Sequence, residues 1–183
     1  SMEKLGWQLS VQLYTYRRYP LFEALDKVAE LGIRHIEPLT ALKVDAKRPE
    51  LRANEDLPPD VRKELKTMLA DRGMFLSSIF ASFTGEPAQA KRLFDFCQEM
   101  GTGTIVAEPP AGALDMIEKL CDEYRINVAF HNHARGQSPY WKPEQVLAAC
   151  QNRSPRMGGC CDAGQWARSG LDPVGSRPFC ESR

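Results

Sequence analysis

Short apolar stretches alternate with amphipathic stretches along most of this chain, and this alternation limits the possible folds more than any other feature. The apolar stretches have the length of strands, and the amphipathic ones repeat their apolar residues at helical spacing. Glycine follows three of the helical stretches, at Gly32, Gly73 and Gly101, where it commonly ends a helix. The sequence thus predicts strands over residues 8–16, 33–39, 74–81, 104–108, 127–133 and 157–162, and helices over about 20–31, 60–72, 87–100, 114–124 and 142–151.

Strands that alternate with amphipathic helices form right-handed βαβ units, and their parallel sheet either closes into a barrel or stays open as a doubly wound sheet. A dinucleotide-binding open sheet needs a glycine-rich turn after its first strand, and residues 14–20 contain no glycine. In a barrel, polar residues collect where the strands end. The sequence shows such a collection, which favours a TIM-type (β/α) barrel: Tyr14, Tyr16, Glu37, Ser82, Glu108, His131, His133 and Asp162.

The fifth predicted strand, residues 127–133, carries the strongest functional signal. Its first half is apolar and uncharged, as in a strand that is buried on both faces. Side chains two apart on a strand share a face, so His131 and His133 point to one side and Asn132 points away. The two imidazoles either make hydrogen bonds in the core or serve metal or proton chemistry, and both interpretations stay open at this point.

The composition argues against several classes of function. The chain has 24 basic and 24 acidic residues, and a formal net charge of zero gives no general attraction to nucleic acid or to an anionic membrane. No apolar run reaches the about 20 residues of a membrane span, and the N-terminus lacks a signal-peptide pattern, so we expect a cytoplasmic protein. The six cysteines have no Cys-x-x-Cys spacing and are expected to be reduced.

Four segments follow one another at the predicted strands. They read Ser-Val-Gln-Leu-Tyr-Thr-Tyr at 10–16, Leu-Gly-Ile-Arg-His-Ile-Glu at 31–37, Val-Ala-Phe-His-Asn-His at 128–133 and Cys-Asp-Ala-Gly-Gln-Trp-Ala-Arg-Ser-Gly at 161–170. Each motif is weak alone, but their order and spacing resemble the xylose isomerase-like TIM-barrel superfamily, the sugar phosphate isomerase/epimerase group. The resemblance implies a metal-dependent enzyme that isomerises, epimerises or dehydrates a sugar or polyol.

The resemblance also implies a divalent metal, such as Mn²⁺, Zn²⁺, Mg²⁺ or Co²⁺, held where the strands end. Carried over to this sequence, its ligands are His131, where many relatives have Glu, and Asp162. An imidazole in place of a carboxylate favours metals that accept nitrogen, such as zinc or manganese. Gln165 stands where relatives often have His, and Glu108 is in a position to supply the missing carboxylate.

The implied chemistry needs a base that takes a proton from the carbon next to a carbonyl group. The catalytic candidates are Glu108, His133 and Glu37. For Glu37 there is also a purely structural alternative, an ion pair with Arg34 or Arg72.

The expected substrate-binding residues are Tyr14 and Arg168, although Arg168 also fits the role of a solvated loop charge. Two other functions stay open. The first is that the chain is a non-catalytic sugar-binding barrel fragment or a degenerate one. A type IV endonuclease would need a cluster of several metals and a basic groove, for which three histidines and zero net charge give thin support.

Six strands are predicted where a barrel of this type has eight and about 250 residues. We therefore expect an incomplete barrel of about six βα units over residues 1–174 and an atypical tail over 175–183, where Gly175 and Pro178 oppose a helix. The histidine and glutamate of the family's last two strands have no counterpart. We accordingly expect weak metal binding, little turnover by this chain alone and self-association through open sheet edges.

Overall fold

The computed structural model describes residue 4 and residues 6–172 of the 183-residue chain. The chain forms two compact units. The first comprises the residues up to Ala81 together with Asp95–Gly103, and the second comprises Ser82–Phe94 together with the residues from Thr104 onward. The predicted tail at 175–183 and the domain boundary at 174 lie outside the described residues.

Every predicted strand and helix is present, so the predicted parallel α/β alternation is confirmed. The strands are β1 (Ser10–Gln12), β2 (His35–Glu37), β3 (Phe75–Leu76), β4 (Ser78–Phe80), β5 (Thr104–Ala107), β6 (Asn127–His131) and β7 (Met157–Cys160). The helices are α1 (Leu21–Glu30), α2 (Pro59–Asp71), α3 (Pro87–Met100), α4 (Leu114–Tyr124), α5 (Pro143–Cys150) and α6 (Ala163–Arg168). Short 3-10 helices cover Leu13–Tyr16 and Ala111–Ala113.

In the first unit, β1, β2 and β3 pair in parallel in chain order. The β1–β2 ladder ends at Gln12↔Glu37. The chain leaves the sheet at Leu13 and turns into the 3-10 helix Leu13–Tyr16. The prediction of one strand over residues 8–16 is therefore wrong in its second half.

The predicted strand over residues 74–81 is divided into β3 and β4. The pairing with the second strand passes from Ile36↔Leu76 to the parallel bridge Leu39↔Phe80, so one extra residue is accommodated, as in a β-bulge. The backbone N–H of Phe80 donates to the carbonyl of Pro38 at 2.8 Å, which holds β4 beside the extension of β2.

Helix α1 shows why the helical predictions succeed. Its buried side chains recur at helical spacing, and Gly32 ends the helix in a left-handed conformation with φ of 71°. These side chains form the core of the first unit together with apolar residues of β2, α2 and the strands β3 and β4. The main members are Leu21, Phe22, Leu25, Val28, Ile36, Leu65, Leu76 and Ile79.

In the second unit, β5, β6 and β7 pair in parallel in chain order, from Thr104↔Asn127 to His131↔Cys160. Strand β5 and the second half of β6 are mostly buried, as the prediction of a strand covered on both faces requires, whereas β7 is buried only at Met157. Helix α4 packs its apolar face on them. The core side chains are Ile105, Val106, Ile117, Cys121, Val128, Phe130 and Met157.

Helix α6 was not predicted, because six residues are too short to show a helical period. Asp162 begins it by accepting a hydrogen bond from the N–H of Gln165 at 3.1 Å. Among the described residues, no helix combines the length and apolarity that a membrane crossing requires. The five described cysteines are free thiols, as predicted.

Candidate metal centre

The ends of β5 and β6 bring three metal-binding side chains of the second unit together. The ladder pairs Ala107 with Phe130, so Glu108 and His131 follow side by side at the carboxyl ends of two neighbouring parallel strands. His133 comes two residues after His131 and points to the same side, as the strand period predicts: the two ring centroids are 4.6 Å apart. Functional side chains of α/β folds are concentrated at this end of the strands.

The geometry of the cluster suits one ion. The Oε1 atom of Glu108 lies 3.5 Å from Nδ1 of His131 and also contacts Nδ1 of His133. One ligand atom from each of the three residues lies within 4.8 Å of the other two. The set offers one carboxylate oxygen and two imidazole nitrogens, which are ligands that zinc, manganese and cobalt accept.

The electrostatic surroundings keep Glu108 ionised. Burial raises the pKa of this carboxyl group, but its polar contacts with His131, Ser138 and His133, together with the charge of His133, lower the pKa by more, and the net pKa lies below the ordinary value. The two histidines differ in solvent exposure: His131 is 6% exposed, whereas His133 is partly open to solvent. A carboxylate that stays charged beside two imidazoles is ready to bind a cation.

The segment after His133 folds back to support Glu108. Ser138 is buried and makes a polar contact with that carboxylate. The hydroxyl of Tyr140 donates to the carbonyl of Pro109 at 2.5 Å, and its ring packs edge-on against Phe130 at a centroid distance of 5.0 Å. Burial raises the pKa of Tyr140, so the phenol stays protonated and keeps donating.

Asp162 approaches the cluster from the end of β7. Its Oδ2 atom lies 3.9 Å from Nε2 of His131, so the two nitrogens of this ring face different carboxylates. The side chain of Asn132 fixes the backbone of Asp162 from both ends: its Nδ2 donates to the Asp162 carbonyl at 2.9 Å, and its Oδ1 accepts from the Asp162 N–H at 2.8 Å. Asn132 is 1% exposed, so this link between the two strands is fully buried.

No protein-family model and no curated protein matches the sequence, but solved structures do. An uncharacterized protein from Parabacteroides distasonis ATCC 8503 is 33% identical, with a TM-score of 0.78 over 92% of this chain and 68% of that chain. A D-tagatose 3-epimerase-like protein is 15% identical, with a TM-score of 0.68 over 94% and 71%. A xylose isomerase domain containing protein from Salmonella typhimurium LT2 is 14% identical, with a TM-score of 0.62 over 88% and 62%.

The chain shares the fold of these solved structures, which include a D-tagatose 3-epimerase-like protein and a xylose isomerase domain containing protein. The predicted TIM-type parallel fold is thereby confirmed, and the resemblance read from the sequence motifs agrees with it. The chain spans 62% to 71% of the lengths of the three solved chains named above. Within residues 6–172, neither sheet closes on itself.

Three of the predicted site residues of the second unit form the cluster, and the other two lie outside it. Glu108 and His133, predicted as catalytic residues, contact each other, and His131 joins them as a predicted metal ligand. Asp162, the other predicted ligand, stands at the far nitrogen of His131. Arg168 is exposed on α6, where its guanidinium donates to the side chain of Gln165 at 2.9 Å.

Glu37 belongs to the first unit and ends β2 there. Its two carboxylate oxygens accept hydrogen bonds from Nε2 of Gln12 at 2.8 Å and from the hydroxyl of Ser78 at 2.6 Å. The alternative that Glu37 pairs with Arg34 or Arg72 is therefore wrong. Neutral donors on both neighbouring strands hold the carboxylate at the strand end.

Tyr14 also belongs to the first unit and lies in the 3-10 helix after β1. Its side chain is 53% exposed, and the guanidinium of Arg17 lies 4.3 Å from the centre of its ring. An exposed aromatic ring at the end of a strand is available for contact with a ligand, as the sequence prediction requires.

Sequence reasoning missed Ser138, Tyr140 and the role of Asn132. The first two lie in the segment between β6 and α5, whose path depends on tertiary contacts. For Asn132 the strand period predicts only that its side chain points to the face of the sheet opposite the two histidines.

Proposed function

We propose that this chain carries the metal-binding part of an enzyme that isomerises, epimerises or dehydrates a sugar or polyol with the help of a divalent ion. The convergence of Glu108, His131 and His133 at the ends of adjacent parallel strands carries the proposal. The names of the epimerase-like and xylose isomerase-domain structures support the substrate class.

The donor set of the cluster fits the implied metal. One carboxylate and two imidazoles leave coordination positions open for a substrate, and the nitrogen ligands favour zinc, manganese or cobalt over magnesium. When bound, the ion polarises a carbonyl or hydroxyl oxygen of the sugar. The remaining functions fall to the side chains around it.

Asp162 has a different role in this proposal from the one predicted by the sequence. Its Oδ2 atom faces Nε2 of His131, whereas Nδ1 of the same ring faces Glu108, and its Oδ1 atom is engaged at the start of α6. A carboxylate beside the second nitrogen of a ligand imidazole fixes the tautomer and the orientation of the ring. We therefore assign the ion to Glu108, His131 and His133, and the orientation of His131 to Asp162.

Of the three predicted catalytic residues, Glu37 is the one to which this proposal gives no ligand role. Its hydrogen bonds from Gln12 and Ser78 fix the direction of the carboxylate, and a base in general acid–base catalysis needs such positioning to accept a proton from carbon. Replacement of Glu37 by Gln keeps the size of the side chain, removes the base and turns one of the two accepting oxygens into a donor.

Metal binding by the purified chain tests the proposal directly. After removal of metal by a chelator, calorimetric titration with Zn²⁺ or Mn²⁺ should show one site, and His133→Asn should abolish or strongly weaken it. His35→Asn is the matched control, because His35 contacts Ser77 in the first unit and is not part of the cluster. Equal binding by the His133 variant and the wild type would refute the metal assignment.

Turnover should be compared between this chain and a version extended by the two terminal βα units of a close relative, on a panel of ketoses and inososes with Mn²⁺ and Zn²⁺. Small misplacements of reacting groups can cost ~100-fold in rate, so we expect activity mainly from the extended chain. Metal binding without turnover in either form would instead favour the non-catalytic sugar-binding alternative.

A further inference from the structure

A cavity of about 450 Å³ lies within the first unit, between the segment that precedes α1 and the segment that follows β2. This volume falls in the range of pockets that bind small molecules. The first segment contributes four consecutive residues, 17–20, and the second contributes residues between 41 and 49. The lining residues are Arg17, Arg18, Tyr19, Pro20, Ala41, Leu42, Lys43, Asp45, Ala46 and Pro49.

The two walls of the cavity are tied to each other through the backbone. The N–H of Leu21 donates to the carbonyl of Lys43 at 2.8 Å, and the N–H of Phe22 donates to the carbonyl of Val44 at 3.0 Å. Leu21 and Val44 are both fully buried, so the hydrogen bonds are anchored in the core. The backbone therefore holds the two walls of the cavity together, and the side chains of Arg17, Arg18 and Lys43 are exposed there.

The charges that line the cavity are unbalanced. Three of the lining side chains are cationic, those of Arg17, Arg18 and Lys43, and a single one is acidic. That acid, Asp45, already has partners. Its Oδ2 atom accepts a hydrogen bond from Nε of Arg48 at 2.7 Å, and its Oδ1 atom accepts hydrogen bonds from the backbone N–H groups of Lys47 and Arg48. Its charge is therefore compensated from outside the cavity lining.

The three cations have little compensation of their own. Arg17 donates to the backbone carbonyl of Tyr14 at 3.0 Å and lies over the Tyr14 ring, and no acid within residues 6–172 pairs with its charge. Among residues 6–172, the side chains of Arg18 and Lys43 make neither an ion pair nor a hydrogen bond. Like charges held around one cavity repel each other, and an anion inside it would relieve that repulsion.

We propose that this cavity is a binding site for a phosphate group, either as free phosphate or as a small phosphate monoester. A guanidinium presents paired N–H donors that match phosphate oxygens, and an ammonium adds a point charge. Two arginines and one lysine together suit a dianion with several acceptor oxygens better than a single carboxylate. The partly exposed Tyr19 offers a further hydroxyl at the cavity wall.

A titration of the ¹⁵N-labelled chain with sodium phosphate, followed by amide chemical shifts at constant ionic strength, tests the site. We expect saturable shifts confined to residues 17–22 and 41–49. In the double variant Arg18→Gln with Lys43→Met, the dissociation constant should rise at least about tenfold, as loss of a charge-assisted hydrogen bond implies. Lys63→Met is the matched control, since Lys63 is an exposed cation of α2 in the same unit.

The outcomes separate clearly. Saturable shifts outside the two segments, or equal affinity of the double variant and the wild type, would overturn the proposal, and the wild-type map remains decisive if the variant fails to fold. Glycerol, a neutral ligand, should produce no saturable shift. Both inorganic phosphate and glycerol 3-phosphate should bind, and the tighter of the two identifies the source of the group.

Discussion

The Nε2 atom of His131 lies 3.9 Å from Oδ2 of Asp162, whereas Nδ1 of the same ring faces Glu108 at 3.5 Å. One imidazole thus connects two carboxylates that stand at the ends of β5 and β7. A metal ligand and a residue that orients a ligand respond differently to the loss of charge, so the two carboxylates can be distinguished experimentally.

Removing the charge of Glu108 should weaken metal binding far more than removing the charge of Asp162. We expect Glu108→Gln to cost more than about 100-fold in Zn²⁺ affinity and Asp162→Asn to cost ~10-fold, in line with residues that orient ligands. Competition with a chromophoric chelator measures both constants. Glu123→Gln, an exposed change on α4, serves as the control and should leave the affinity unaltered. The reverse order of the two effects would make Asp162 the ligand.

Replacing Asn132 by Leu should destabilise the second unit. The substitution leaves the N–H of Asp162 without its buried partner, whereas the Asp162 carbonyl keeps the N–H groups of Gln165 and Trp166, so we expect a loss of about 1–3 kcal/mol of unfolding free energy. Urea denaturation measures the change. Asn127→Leu, at the exposed start of the same strand, should cost less than about 1 kcal/mol. Similar costs for the two variants would show that the Asn132 link contributes little.

The cysteines should differ sharply in reactivity. Burial raises the pKa of both Cys97 and Cys121 to about 12, so the thiolate that attacks alkylating reagents is almost absent at pH 8. Cys161 is exposed. Iodoacetamide labelling followed by peptide mass spectrometry should modify Cys161 in the native protein, and Cys97 and Cys121 after denaturation. Rapid native labelling of Cys97 would indicate that its core opens locally.

The isolated chain should self-associate at micromolar concentration. Within residues 6–172, β1 and β7 each pair on one side only, and exposed backbone edges can pair with another chain. Leu9, directly before β1, is 56% exposed, so Leu9→Lys should reduce association by placing a charge at that edge. Leu31→Lys, at another exposed apolar position, is the control. Light scattering with size exclusion gives the mass, and a monomer at every concentration would contradict the expectation.

The sequence predicted which elements exist, because the period of the apolar residues is a local property. It overestimated the first strand, because the turn into a 3-10 helix at Leu13 does not interrupt the alternation of polar and apolar residues that predicts the strand. The division of the strand over residues 74–81 depends on its pairing with β2 and with the residues that follow β2. Strand boundaries depend on the partner, and a partner is unknown until the sheet is assembled.

The residues of the candidate site could be predicted because they follow the ends of neighbouring parallel strands. Glu108, His131 and His133 stood at the ends of neighbouring predicted strands, and the parallel order brings such residues together. Which nitrogen faces which carboxylate depends on the rotation of the ring, and the support of Glu108 by Ser138 depends on the path of a loop. Neither is encoded in a periodic pattern.

The side-chain amide of Asn132 also specifies the register of β7. This strand reads Met-Gly-Gly-Cys, and its two central glycines have no side chains with which to reject a shifted pairing. A slip of one residue would turn Asp162 away from Nε2 of His131, and it would carry both of the atoms bonded by Asn132 out of reach. A single buried side chain at the edge of the candidate metal centre therefore sets the register of a strand whose own side chains specify it only weakly.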